Sequence, residues 1–265
     1  MRRLWHRGAL LLFVAAAYAQ NPSTAEDERY KYPPNDAEQK QMLEQIKASA
    51  ASYARELPDF VCSKVTRHSL DTTGTGRNWR QTDTIDENLS FLGHKDSYQL
   101  VMVNGKKATG SEHETGAESF GEFGDLLSWI FDPGAQATFS WNTWGVLNNH
   151  RVAVFNYNVA QKQARVALGK SHTALAYLGA VFAEVNTFKI LQVTMLAQGP
   201  GKTPEKISRT VDFDFAQLGD KQFLVPLKMD LNHAEGKTLR WDEVEFKKFH
   251  KPDAGPADLF EKRKQ

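Results

Sequence analysis

Between Asn35 and Pro58 the apolar positions recur with helical spacing. Met42, Ile46, Ala50, Tyr53 and Leu57 share one face, and Lys40, Glu44, Lys47 and Glu56 share the other. Asn35 or Asp36 caps this helix, Glu38 falls in its first turn, and Pro58 ends it. Beyond Pro58 the period shortens toward two. Phe60 to His68 reads as a strand, Asp71 to Gly76 as a turn, and Trp79 to Phe91 as a long strand with no strongly apolar face. Tyr98 to Val103 makes the next strand. Asn104-Gly105 favours a type I′ hairpin, with Lys106 to Ala108 as the return. Gly110 to Gly121 is a Gly/Glu-rich connection.

A second, short helix is expected over Gly121 to Phe131, with Phe123, Leu126, Leu127 and Ile130 on one side and Asp132-Pro133-Gly134 as its stop. Strand patterns then follow near Ala137 to Trp144, Arg151 to Ala160, Ala174 to Tyr177, Ala180 to Asn186 and Lys189 to Ala197. Three more lie near Ile207 to Gln217, Gln222 to Asn232 and Thr238 to Phe249. Strands joined by short turns require antiparallel pairing, and two amphipathic helices need an apolar surface to cover. The expected fold is therefore α+β and mostly β: a curved antiparallel sheet, an open half-barrel, with an N-terminal helix and one short lid helix.

The chain of 265 residues opens on a different pattern. Arg2, Arg3 and Arg7 precede an apolar run from Ala9 to Ala17 that is too short to span a bilayer, and Ala17-Tyr18-Ala19 has the form of a cleavage site. Residues 1–19 read as a signal peptide and 20–34 as a flexible leader. Residues 35–250 form one half-barrel domain, and 251–265 a charged tail. Cleavage near Ala19 makes the protein secreted or periplasmic, with no permanent membrane span. Without the three signal arginines, 30 basic residues face 32 acidic ones, which gives no electrostatic footprint for nucleic acid. Cys62 is the lone cysteine, so an exported domain of this sequence has no internal disulfide and depends on packing.

One segment carries a resemblance. Ala180-Val181-Phe182-Ala183-Glu184-Val185-Asn186-Thr187-Phe188-Lys189-Ile190-Leu191-Gln192-Val193-Thr194 resembles the strand-turn-strand of the LolA/LolB-like lipoprotein carriers of bacterial envelopes. Arg209 to Leu231, two strands about Leu218-Gly219-Asp220-Lys221, is similar to the hairpins that follow there. The resemblance spans residues 36 to 249. It implies an open antiparallel half-barrel with helices over a hydrophobic concave face that holds acyl chains. The carriers depend on one ligand-gating arginine, which this pattern matches to no position of the chain.

Chemistry-bearing motifs are sparse. Gly199-Pro200-Gly201-Lys202-Thr203 lacks the first glycine of a P-loop, which would fall at Leu196, and strand residues follow it. His68, His94, His113, His150, His172, His233 and His250 are scattered, with no His-Glu-x-x-His spacing and no Cys/His cluster for zinc. Glu112-His113-Glu114 reads as a solvated loop, and no Gly-x-Ser-x-Gly elbow occurs. Asp83, Asp86 and Glu87 on a strand, and Glu118, Glu122 and Asp125 near a helix start, form no recognisable catalytic pair. No catalytic residue, metal ligand or cofactor is assigned.

The densest feature is aromatic: Trp129, Phe131, Phe139, Trp141, Trp144, Phe155 and Tyr157. Either they fill a sheet core under the second helix, or they line an apolar groove. Phe139 and Trp141 share a strand face, while simple alternation sends Trp144 to the other face or into the turn. The residues expected to meet a ligand are Phe123, Leu127, Trp129, Phe139, Trp141, Phe155 and Phe182. The expected role is non-catalytic binding of a lipid, an acyl chain or a lipoprotein. A structural or protein-interaction module with a filled core is the alternative, and a hydrolase acting on envelope polymers the more distant one.

Overall fold

The computed structural model describes residues 28–108, 123–165, 167–168, 173–200 and 205–252. The expected signal peptide, most of the leader, the 110–121 connection and most of the tail lie outside the described residues. Residues 1–33 and 34–265 are two units. In the described part of the first, Lys31 pairs with Glu28 within a short turn.

The second unit begins with α1 (Asp36–Glu56), which has the expected cap. Asn35 Oδ1 accepts from the Glu38 amide at 3.0 Å, and the Glu38 carboxylate accepts from the Asn35 amide at 2.9 Å. Both orphan donors are thereby satisfied. Ile46, Tyr53 and Leu57 are buried along the predicted stripe. The strands follow as β1 (Phe60–Asp71), β2 (Arg80–Leu92), β3 (Lys95–Val103) and β4 (Lys106–Lys107). Asn104 and Gly105 both take positive φ, as a type I′ turn requires. Next comes the short helix α2 (Asp125–Phe131), then β5 (Thr138–Leu147) and β6 (His150–Val159). A small hairpin, β7 (Ala167–Leu168) and β8 (Thr173–Ala174), stands apart from the main sheet. The remaining strands are β9 (Tyr177–Glu184), β10 (Ile190–Gln198), β11 (Lys206–Leu218), β12 (Lys221–Glu235) and β13 (Thr238–His250).

Eleven strands form one open antiparallel sheet in the order β4-β3-β2-β1-β13-β12-β11-β10-β9-β6-β5. Two departures from a simple meander matter. The chain leaves one edge at β4, passes through α2 and re-enters at the far edge as β5. The first and last long strands, β1 and β13, pair in the middle. The expected strand at Ala174 to Tyr177 divides, its first residue ending β8 and its last opening β9. The next expected strand closes at Glu184 because that carboxylate turns the chain. It accepts from the Thr187 amide at 2.8 Å and the Thr187 hydroxyl at 2.5 Å.

The sheet must curl. Phe123, just before α2, packs on Phe91 of β2, whereas Trp129 within α2 accepts a hydrogen bond from Tyr177 of β9. Six strand spacings separate β2 from β9, ~29 Å if flat, but the six residue steps from Phe123 to Trp129 reach at most ~13 Å. Both helices therefore lie on the concave side, and α1 packs against α2 and β10 there.

Close approach fixes one glycine on that side. A Cβ at Gly179 would sit 1.9 Å from the Thr194 carbonyl oxygen and 2.9 Å from Tyr157 Oη. Tyr157 uses this space to donate to that same oxygen at 2.8 Å. Gly179→Ala is expected to cost ~1–3 kcal/mol or more, by forcing β9 from β10 and breaking that bond. Urea unfolding reads it as a lower midpoint, and an unchanged midpoint would contradict the packing described.

Candidate ligand-binding face

Across the concave side, residues directly opposite one another form a continuous apolar line. It runs Trp141, Phe155, Val181, Val193, Val211, Met229 and Val244 over seven neighbouring strands. All but Trp141 are buried to within a few per cent of their area. β-branched residues dominate its middle, where side chains are flanked on both sides and stiff rotamers pack well.

Helix α2 covers part of this face with Leu126, Leu127 and Ile130, all buried. Its hold is slight. Gly124 at its N-cap offers no side chain, and the helix is two turns long. Tyr177 Oη donates to the Trp129 carbonyl at 2.6 Å, and the Arg209 guanidinium lies 5.8 Å from the Trp129 ring centroid. Burial pushes the Tyr177 hydroxyl up to about 12 against the opposing charge of Arg165, so it remains a donor. Arg165 also bonds Asp132 at 2.9 Å just past the helix end.

Six of the seven expected residues lie on this side of the sheet or in the α2 segment over it, spread from β2 to β5. Phe123 sits among Phe60, Phe91 and Phe246 at ring separations of 5.1, 5.7 and 5.6 Å. Leu127 and Phe155 are buried, and Trp129 is half-buried beneath Arg209. Phe139 stacks on Phe131 at 5.4 Å with Lys47 of α1 over it. Trp141 meets Phe155 edge-on at 5.3 Å. The seventh, Phe182, is a correction. It pairs with Val154 and Gln192 one register step from Val181, so it faces the convex side.

Trp144 corrects the opposite way. A bulge at Asn142 shifts the register, so that Trp141 faces Phe155 while Trp144 faces Ala153. Both indoles thus reach the concave side, 4.7 Å apart. Phe131, Phe139, Trp141 and Trp144 are half-buried and make an aromatic rim where α1 passes over β5, at the edge of the sheet.

Toward β1 and β2 the same face turns charged. Lys64 of β1 and Glu87 of β2 form a buried ion pair at 3.1 Å. Two steps along the same strand face, past Thr66, His68 Nδ1 lies 2.6 Å from Asp242 of β13, and Nε2 lies 3.6 Å from Asp83 of β2. Asp242 lies across Leu231 from Arg209 in a single register line. None of these pairings is visible as a motif, because the partners stand on different strands. Folding the first hairpin about its turn would have opposed Lys64 to Glu87 and His68 to Asp83, which explains why that strand shows no strongly apolar face. Both His68 nitrogens face carboxylates, which favours the protonated ring over one standing free to take a proton from a nucleophile. Among the described residues no group of side chains has the geometry to hold a metal ion.

No family model matches the chain, and neither does any curated protein. Solved structures similar to it include two from bacteria. One, from Vibrio parahaemolyticus, is described as an outer membrane lipoprotein-sorting protein domain. It is 12% identical, with a TM-score of 0.38 over 86% of this chain and 98% of that one. The other is a DUF1329 family protein from Desulfovibrio piger, 8% identical, with a TM-score of 0.37 over 82% of this chain and 95% of that one.

Burial opposes the charged form of His68, but the Asp242 hydrogen bond and the charges of Asp242 and Asp83 outweigh both it and Lys64, and raise the pKa. Stability from this site is therefore complete below ~6.5, the ordinary value for histidine. It is lost as pH rises through the higher folded value. Urea midpoints of the wild type are expected to fall between pH 6 and 8.5 more than those of His68→Gln. Equal falls would contradict the clamped imidazolium.

Proposed function

We propose that this chain is an exported envelope protein that binds a hydrophobic ligand or the acyl chains of a lipidated partner, without catalysis. The ligand takes the place of the α2 side chains against the concave apolar line. One observation carries this reading: an unbroken row from Trp141 to Val244 is roofed in part by a helix of seven residues that lacks a side-chain cap.

The magnitudes support an exchange. Covering Leu126, Leu127 and Ile130 is worth ~1.5–3 kcal/mol each, ~5–9 kcal/mol together. An acyl chain recovers ~0.8 kcal/mol for each buried methylene, so about ten methylenes offset the displacement of α2. A shorter chain leaves the helix in place. The aromatic rim at β5 is the natural entrance, since its rings are half-exposed and rigid, and Lys47 stands beside it. Export rests on residues 1–19, and the burial of Cys62 accords with a protein that needs no disulfide.

The second reading is a protein-interaction module with a filled core. It is favoured by the near-complete burial of Phe155, Val181, Val193 and Val211. A hydrolase has less support, because the histidine among carboxylates, His68, has both ring nitrogens turned to Asp83 and Asp242.

Titration of the mature protein with cis-parinaric acid, followed by fluorescence, separates these readings. Saturable binding is expected, weakened about tenfold (~1.4 kcal/mol) in Trp141→Ala. An absence of saturable binding would overturn the carrier reading in favour of the module.

A further inference from the structure

Three tyrosines lie buried among the residues that pack between the helices and the concave face, and their hydroxyls fare differently. Tyr157 donates to the Thr194 carbonyl and Tyr177 to the Trp129 carbonyl. Tyr53, on the buried stripe of α1, has no hydrogen-bond partner for its hydroxyl among the described residues. Only 7% of the residue is exposed, and its ring meets Phe213 of β11 edge-on at 5.7 Å. Its neighbours along the helix stripe, Ile46 and Leu57, are apolar. A phenylalanine would make the same ring contact and leave no polar atom unsatisfied, whereas a buried lone hydroxyl opposes folding. Desolvation raises its pKa well above the ordinary tyrosine value, so the group stays protonated and able to donate.

We propose that Tyr53 Oη is the polar contact of the ligand site and donates a hydrogen bond to the carbonyl oxygen of an acyl ester or acyl acid held against the concave face. This deepens the reading under Proposed function and rests on it. The ligand is then not a bare hydrocarbon but an acyl group, with its oxygen at the Tyr53 level and its chain along the apolar line toward Trp141. A site that carries one buried donor discriminates against ligands lacking the matching acceptor, because the donor is then left unpaired.

The test uses three fluorescent probes on the mature wild type and on Tyr53→Phe: cis-parinaric acid, its methyl ester, and the pure hydrocarbon diphenylhexatriene. Tyr53→Phe is expected to lose about tenfold in affinity for the acid, the ester or both, and to bind diphenylhexatriene unchanged. Which of the two oxygenated probes suffers tells an acid from an ester. The ligand-free variant is expected to melt at the same or a higher temperature, since it sheds an unsatisfied hydroxyl. If the probes bind but the variant holds all three as the wild type does, the inference is overturned while the carrier reading stands. Lowered melting with unchanged affinities would overturn it too, and assign the hydroxyl to a buried water. If the wild type binds no probe, both readings fall.

Discussion

The row of side chains from Phe155 to Val244 is shielded from water, in part by α1 and α2 lying over it, and the rest of the architecture follows from that covering. An open sheet of eleven strands has a large apolar surface on its inner side. Curling brings β2 and β9 within reach of one short helix, so a small amount of helix serves a wide sheet. The β1–β13 pairing makes this possible, because it joins the N-terminal hairpins to the C-terminal ones and frees the middle of the chain to cross the concavity as α2. The two helices are unequal roofs. α1 has six turns and a reciprocal cap, whereas α2 has two turns and leans on Tyr177 and Arg209.

The buried charges on β1, β2 and β13 have a different part. Taking Lys64, Glu87, His68 and Asp242 out of water is costly, and replacing such pairs with apolar groups is often neutral or better. What they supply is register. A slip of one residue between β1 and β2 would turn Lys64 away from Glu87 and His68 away from Asp83, and leave each alone on the wrong face. The convex side is laced with ion pairs as well, Arg67 with Glu245 and Lys228 with Asp230 and Glu243. The concave side is thus specified by charge at one end and by aromatic rings at the other.

Much of the fold was legible in local pattern. The stripe of α1, the Asn104-Gly105 turn and the stop at Asp132-Pro133-Gly134 depend on neighbours in sequence and form as read; of the two cap candidates, Asn35 and Asp36, it is Asn35 that caps. Strand partners were not legible, since nothing local tells β1 that it will lie beside β13. The aromatic density on β5 pointed to the right face, but Trp144 was misplaced because a single extra residue at Asn142 inverts the alternation. Phe182 was expected among the lining residues of the sheet, whereas its parity relative to Val181 puts it on the other side. The line of His68, Asp83 and Asp242 escaped notice for the same reason: each is ordinary on its own strand and significant only across the ladder. Tyr53 was read correctly as buried, but only three-dimensional packing shows its hydroxyl unpaired.

The central claim is that α2 is a separable cover over a face built to be covered. Native-state amide hydrogen exchange tests this most directly, comparing Ser128 and Asp132, whose amides bond within and at the end of α2, with the paired amides of β10 to β13. The account predicts that the α2 amides exchange through a local opening far easier than global unfolding, and that their rates shift when cis-parinaric acid is added. Exchange of α2 only together with the central strands, insensitive to added acid, would contradict it.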